Sequence, residues 1–293
     1  MDTDSLAAFL AIAEAGSFSA AATRLHLSQP AISKRIASLE QRLAARLFDR
    51  IGRRVLLTAA GSALLPYARR VRDDLEDGRR ALSHLAREVQ GRLAIGTSHH
   101  IGLHRLPPLL KTFAHAHPDV DLDIQFMDSE VACDAVLAGK LELGIVTLPT
   151  APLEGLEARE IWPDPLAVVV APDHALARRR RVPLRELAQH PAVLPDAATY
   201  THRIIKAELA RHGVEPRVRL ATNYLETLKM LVAIGLGWSV LPRSMLDGSV
   251  RALTIPGFAP SRRLGAVWHR KRVLSAPARR LLEHLRPQGR APR

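Results

Sequence analysis

Cysteine is nearly absent from the chain: Cys133 is the single one in 293 residues. One thiol cannot close an intramolecular disulfide or build a multi-cysteine metal site. No run of apolar residues is long enough to span a bilayer, so no membrane-spanning role is expected. The opening residues MDTDSLAAFLAIAEAGSF carry two early acids and no basic segment, unlike a secretion signal, and the expected location is the cytoplasm. Catalytic signatures are missing as well. There is no G-x-S-x-G, Walker lysine loop, G-x-G-x-x-G after a strand, or H-E-x-x-H. Gly235 and Gly237 lead into Trp238 and Ser239, not into a phosphate-binding turn. These absences argue against an enzyme and leave no cofactor to expect.

The remaining composition is that of a globular protein, with 47% hydrophobic and 24% charged residues. The length suits two or three domains. Forty-two Lys and Arg oppose 29 acids, a net charge of +13. That excess points to a polyanion, either nucleic acid or an anionic membrane surface.

Residues 17–54 are where this charge acquires a pattern. Ser17 and Ser19 are candidate caps for a short helix ending near Leu25, with a turn at His26 and Leu27. Ser28 caps a second helix with Pro30 in its first turn. Ile32, Ile36, Leu39, Leu43 and Leu47 then form one apolar stripe. The other face carries Gln29, Ser33, Lys34 and Arg35. Gln can pair with adenine, Arg with guanine, and Ser or Lys can hold a phosphate or a base edge. A helix N-terminus also attracts phosphate. The plain alternative is a solvated face on a core helix. Against it stand Arg50, Arg53 and Arg54 around Gly52, followed by apolar Val55, Leu56 and Leu57. A glycine turn with arginines between short extended pieces reads as a wing that can follow a DNA backbone or enter the minor groove.

The arrangement F-x2-A-A-x-x-L-x-[LV]-S-Q-P-A-[IV]-S-x-x-I-x-x-L-E-x-x-L-x-x-x-L-F-x-R-x-x-R-x-x-x-L-T-x-A-G runs from Phe18 to Gly61. It resembles the winged helix-turn-helix of LysR-type transcriptional regulators. The resemblance implies an α/β multidomain protein: a winged helix-turn-helix, a long coiled-coil linker helix, and a two-lobed effector domain like type 2 periplasmic binding proteins. The expected boundaries are 1–58, 59–90 and 91–293, with lobe I about 91–160 plus 264–293 and lobe II about 161–263. With one cysteine per chain, a two-cysteine peroxide switch, known in some family members, is excluded within one chain.

Before the motif, Leu6, Phe9, Leu10 and Ala13 make one face of a first helix that Gly16 is placed to end, and Phe9 and Phe18 are assigned to packing. After it, Thr58 caps a helix from about Ala59 to Val89. Leu64, Ala68, Val71, Leu75, Gly78, Leu82, Leu85 and Val89 recur in steps of four and three, a heptad seam that favours dimerisation over packing on its own domain. From Gly91 strands and helices alternate in a parallel α/β pattern. Strands are expected at 93–96, 120–126, 141–146, 166–170, 192–194, 217–221, 239–241 and 264–268. Helices are expected at 103–116, 130–138, 183–187, 201–212, 224–234 and 276–285. The Pro-rich segment 148–158 marks a crossing between lobes, and ETLKMLVAIGLGWSVLP (226–242) is close to the family pattern. Arg178 to Arg181 reads as a solvated loop.

Ligands of such folds bind beyond strand C-termini, near helix N-termini. Thr97, Ser98, His99, His100, Ser129, Thr147, Thr201 and His202 occupy such points and are the candidate effector residues, where the family holds a small, usually carboxylated, molecule. Helix capping is the simpler role for any one Ser or Thr. Asn223 and Trp238 are secondary candidates, with Trp238 better placed in the core. His100 and His104 stand at i, i+4, as on metal-binding helices, yet no acidic loop is near and Cys133 is distant in sequence, so no metal ligand is assigned.

A transport binding protein is the competing reading. It lacks an export signal and leaves the first 90 residues unexplained. The resemblance implies double-stranded DNA, a small-molecule effector and RNA polymerase as partners. It also implies a homodimer through the linker helix, assembled into a homotetramer that bends a promoter until effector shifts its contacts.

Overall fold

In the computed structural model, which describes residues 2–51, 54–83 and 89–285, the chain divides into two units, residues 1–85 and 86–293. The first is built on short capped helices. The Asp2 carboxylate starts α1 (Thr3–Ala15) by accepting from the Ser5 N–H at 2.8 Å. Gly16 ends it with φ +62°, a left-handed conformation that costs glycine nothing. Ser17 caps α2 (Phe18–Arg24), and Ser28 caps α3 (Gln29–Leu43), whose first turn holds Pro30. Ile32, Ile36 and Leu39 are buried beside Phe9 and Phe18, and both phenylalanine rings meet Phe48.

The α3 stripe is shorter than the spacing predicts. Leu43 is exposed, the backbone turns at Ala44 with φ +50°, and Leu47 reaches the core from the loop beyond. Glu40 holds that turn, its Oε1 accepting from the Leu47 N–H at 2.7 Å. The wing follows as an antiparallel hairpin of β1 (Phe48–Ile51) and β2 (Arg54–Leu57). Thr58 accepts from the Gly61 N–H at 3.0 Å and opens α4 (Ala59–Ser83). A Cβ on Gly61 would lie 2.2 Å from the Leu47 carbonyl oxygen, so this approach of helix to loop needs glycine.

The heptad seam is divided in the structure. Leu64, Ala68 and Val71 pack onto the N-terminal core, as a helix folded on its own domain would. Leu75 is 48% exposed. Leu85 lies outside the described residues, and Val89 is in no helix.

The second unit contains β3 (Gly91–Thr97), α5 (His99–His104), α6 (Leu106–Ala116), β4 (Val120–Phe126), α7 (Ser129–Leu137), β5 (Leu143–Thr147) and β6 (Leu156–Val170). Next come α8 (Leu184–Leu187), β7 (Pro191–Leu194), α9 (Tyr200–Arg211), β8 (Arg217–Ala221), α10 (Leu225–Ala233), β9 (Ser239–Pro242), β10 (Arg251–Leu253), β11 (Ser261–His269) and α11 (Ala276–His284). The helix expected over 103–116 is two helices, because Pro107 and Pro108 lack the N–H groups that would continue α5. β10 has no counterpart in the sequence pattern.

The sheet is mixed, not parallel throughout. β3 pairs in parallel with β4 and β5, while β11 runs antiparallel to β5 and to β6. β6 is one strand of 15 residues where the sequence suggested a loop to 158 and a strand from 166. Its first part pairs with β11, and its last residues pair with β9 and β10. Pro163 and Pro165 obscured it; over that stretch the described partner is β11 alone, an edge position that tolerates proline. The β6–β11 pair thus carries the chain between lobes. Lobe I packs Leu93, Ile95, Phe113, Leu143 and Ile145, and lobe II packs Val168, Val170, Leu194 and Val240. Trp238 belongs to the lobe II core: it is fully buried, with its indole N–H donating to the His190 carbonyl at 3.1 Å.

Candidate functional site

The N-terminal unit presents the first turns of α3 to solvent. Gln29, Pro30 and Lys34 are exposed and Ser33 is half-buried. Ser28 spends its oxygen on the Ala31 N–H at 3.3 Å. The Ser19 hydroxyl donates to Gln29 Oε1 at 3.1 Å, which orients the amide from α2. Arg35 sits at the side of this face, 3.3 Å from the Asp4 carboxylate. Arg50 and Arg54 lie on β1 and β2, and Arg53 lies outside the described residues.

The C-terminal unit contains a cleft of about 350 Å3 at the C-terminal ends of its parallel strands. Ser98, His99 and His100 follow β3, Ser129 opens α7 after β4, and Thr147 ends β5. From the other lobe come Thr199 and Thr201 at the start of α9, and Asn223 and Tyr224 before α10. Six of the eight sequence candidates therefore line one cavity. Thr97 and His202 do not. Thr97 is fully buried and donates to the Ile145 carbonyl at 2.8 Å, tying β3 to β5. His202 turns its Nδ1 to the Pro195 carbonyl at 2.8 Å.

Two lining hydroxyls have their acceptor role filled from behind. Ser129 Oγ accepts from the Thr147 N–H at 3.0 Å, and Thr201 Oγ1 accepts from Arg262 Nη1 at 3.1 Å. Each keeps its own O–H to donate. Ser98 makes no cap bond with its side chain. Arg262, absent from the sequence candidates, is a buried cation that lines the cleft. Its charge is met by Asp164, which accepts from Arg262 Nε at 2.9 Å and from Arg105 Nη2 at 3.3 Å. Nothing near Asp164 in sequence signals this trio, since its members are 59 and 98 residues apart.

Acceptors line the same cavity. Asp128 accepts from Asn223 Nδ2 at 2.8 Å across the lobes, and Glu130 accepts from the Tyr200 N–H. Burial raises the Glu130 pKa. At the mouth His99 meets Phe126 and Tyr224 edge to face, each 5.5 Å between ring centres. His100 is buried with neither ring nitrogen hydrogen-bonded, and burial, followed by the Arg262 charge, pushes its pKa down to about 4. It is neutral at pH 7.

A polar, lysine- and glutamine-bearing helix N-terminus beside an arginine hairpin, on one chain with a two-lobed polar cleft, defines a DNA-binding protein with a separate small-molecule site. Comparison with known proteins agrees. Residues 3–62 match the model of the bacterial regulatory helix-turn-helix protein, lysR family, and residues 86–290 match that of the LysR substrate binding domain. The chain belongs to the LysR family of transcriptional regulators, whose members are not enzymes. An uncharacterized HTH-type transcriptional regulator of Shigella flexneri, YfeR, is 31% identical over 98% of this chain and 94% of its own. The structure of full-length CbnR complexed with its target DNA has a TM-score of 0.66 at 25% identity, covering 97% of this chain and 99% of that one. The effector binding domain of QuiR in complex with shikimate shares the fold, with a TM-score of 0.62 at 18% identity, covering 67% and 95%. Among the described residues no helix is long and apolar enough to cross a membrane.

Proposed function

We propose that this regulator reads its operator with Gln29, Ser33, Lys34 and Arg35 of α3, seats it on phosphate through Ser28 and the arginines of the wing, and is tuned by a small carboxylate held between the lobes. The effector reading rests on one observation: Ser129 and Thr201 already accept hydrogen bonds from the protein, so both present O–H donors to the cleft. Converging donors backed by a buried guanidinium suit an oxyanion. Asp128 and Glu130 suit hydroxyl or ammonium groups elsewhere on the same molecule. The regulator works in the cytoplasm, where its DNA is, and recruits or releases RNA polymerase by a population shift between two assemblies.

The dimer reading rests on α4. Its exposed Leu75, beside half-buried Val71, borders a groove with Leu6, Ala7 and Leu10 of α1, a surface for the helices of a second copy. Pairing two such dimers gives the tetramer.

The effector test is a thermal-shift screen of small carboxylates against their methyl esters. Acids should raise the melting temperature and esters should not. Ser129→Ala combined with Thr201→Val should abolish that shift and leave effector-free DNA affinity unchanged. A double variant that still responds fully would refute the site.

A further inference from the structure

We propose that His100, His104 and Glu226 form a binding site for a divalent transition metal of the Zn2+ class that fastens lobe I to lobe II. His100 and His104 lie one turn apart on α5, with ring centres separated by 4.8 Å. Glu226, in the first turn of α10, enters from the other lobe. Its Oε1 is 3.1 Å from His104 Nε2 and 3.8 Å from His100 Nδ1, and one donor atom from each residue falls within 4.8 Å of the other two.

Four observations favour a metal over an ordinary buried cluster. His100 is 3% exposed, yet neither ring nitrogen has a hydrogen-bond partner. Buried polar groups are nearly always paired, so an orphaned imidazole aimed at a carboxylate calls for a ligand. Glu226 Oε2 is buried and unpartnered too, leaving a second oxygen for the same ion. The donor set of two imidazoles and one carboxylate is that of open zinc and non-haem metal sites. Atoms bound to a tetrahedral ion at about 2.0–2.2 Å stand roughly 3.3–3.5 Å apart, so small rotations of rings already 3.1–3.8 Å from Glu226 close the site.

The surrounding charges permit a cation. Arg262 faces His100, but Asp164 accepts from it and from Arg105. Lys229 is paired with Asp247. Because His100 also lines the cleft, a bound ion would hold its wall and link lobe separation to metal occupancy.

The test is a Zn2+ titration of the full chain by calorimetry, without DNA or effector, so that its failure is separate from any failure of the carboxylate reading. The expected result is one tight site per chain, with X-ray absorption showing two imidazoles and carboxylate oxygen. His104→Ala and Glu226→Gln, both at partly exposed positions, should each weaken it by roughly tenfold or more, at least what loss of an outer-sphere partner costs elsewhere. His117→Ala should change nothing; His117 stands beside His284 in a second histidine pair on this unit. Equal Zn2+ affinity in wild type, His104→Ala and Glu226→Gln, or loss confined to His117→Ala, would overturn the proposal, as would no binding at micromolar Zn2+.

Discussion

Arg262 shows how much one side chain can hold. It backs the Thr201 hydroxyl and neutralises Asp164 where neither is exposed to water. Removing one member of a buried ion pair strands the other charge, which costs about 3–5 kcal/mol. Arg262→Leu leaves Asp164 with Arg105 alone and should lose up to that much in urea denaturation, and Arg262→Leu with Asp164→Leu should recover most of it; an equal loss in both would mean that packing, not charge, sets the cost. Asp2 offers a milder case with a pH signature. Its bonds from the Ser5 backbone and hydroxyl, and then from Arg42, lower its pKa from 3.8 to about 2. A depressed carboxylate favours the folded state above its unfolded pKa, so this stabilisation is complete above pH 3.8 and fades as pH falls through 2. The advantage of wild type over Asp2→Asn in chemical denaturation should follow that course.

Helix α3 presents the face proposed to read DNA because its neighbours brace it. Ser28 fixes its start, Ser19 orients Gln29, and Glu40 ties down the loop beyond its end. Arg35 is ion-paired in the free protein, with Asp4 on α1. Arg35→Ala should weaken operator binding by about 1–3 kcal/mol if it pairs with a guanine, with random DNA nearly unaffected. Gel-shift assays on both DNAs decide: an equal loss on each makes Arg35 a phosphate contact.

At the scale of the whole molecule, the proposed dimer makes α4 the element to test. Leu64, Ala68 and Val71 pack onto the N-terminal core, while Leu75 is exposed and is the position we propose for a partner. Leu75→Glu should leave the N-terminal fold intact and shift sedimentation from dimer or tetramer toward monomer, with operator affinity falling because two half-sites are no longer read together. An unchanged sedimentation profile would place the dimer interface elsewhere.

Local spacing was enough for much of this. The caps at Ser17, Ser28 and Thr58, the stop at Gly16 and the wing depend on neighbours within a few residues, and such signals are written where they act. Strands such as 120–126 and 217–221 declared themselves by composition, and six cleft residues by their place after a strand. The long β6 was hidden because prolines mask a strand whose partner β11 lies about a hundred residues away. Thr97, the last residue of β3, and His202, in the first turn of α9, were misplaced because a side chain at such a point can face the cleft or turn away from it, and only packing chooses. The Arg105–Asp164–Arg262 trio and the approach of Glu226 to His100 and His104 join residues 59 to 126 positions apart. The sequence by itself determined the DNA-binding unit and the alternation of strands and helices, since these follow from short-range capping and periodicity. The tertiary structure alone decided which side chains share the cleft, because that depends on how two lobes close on one another.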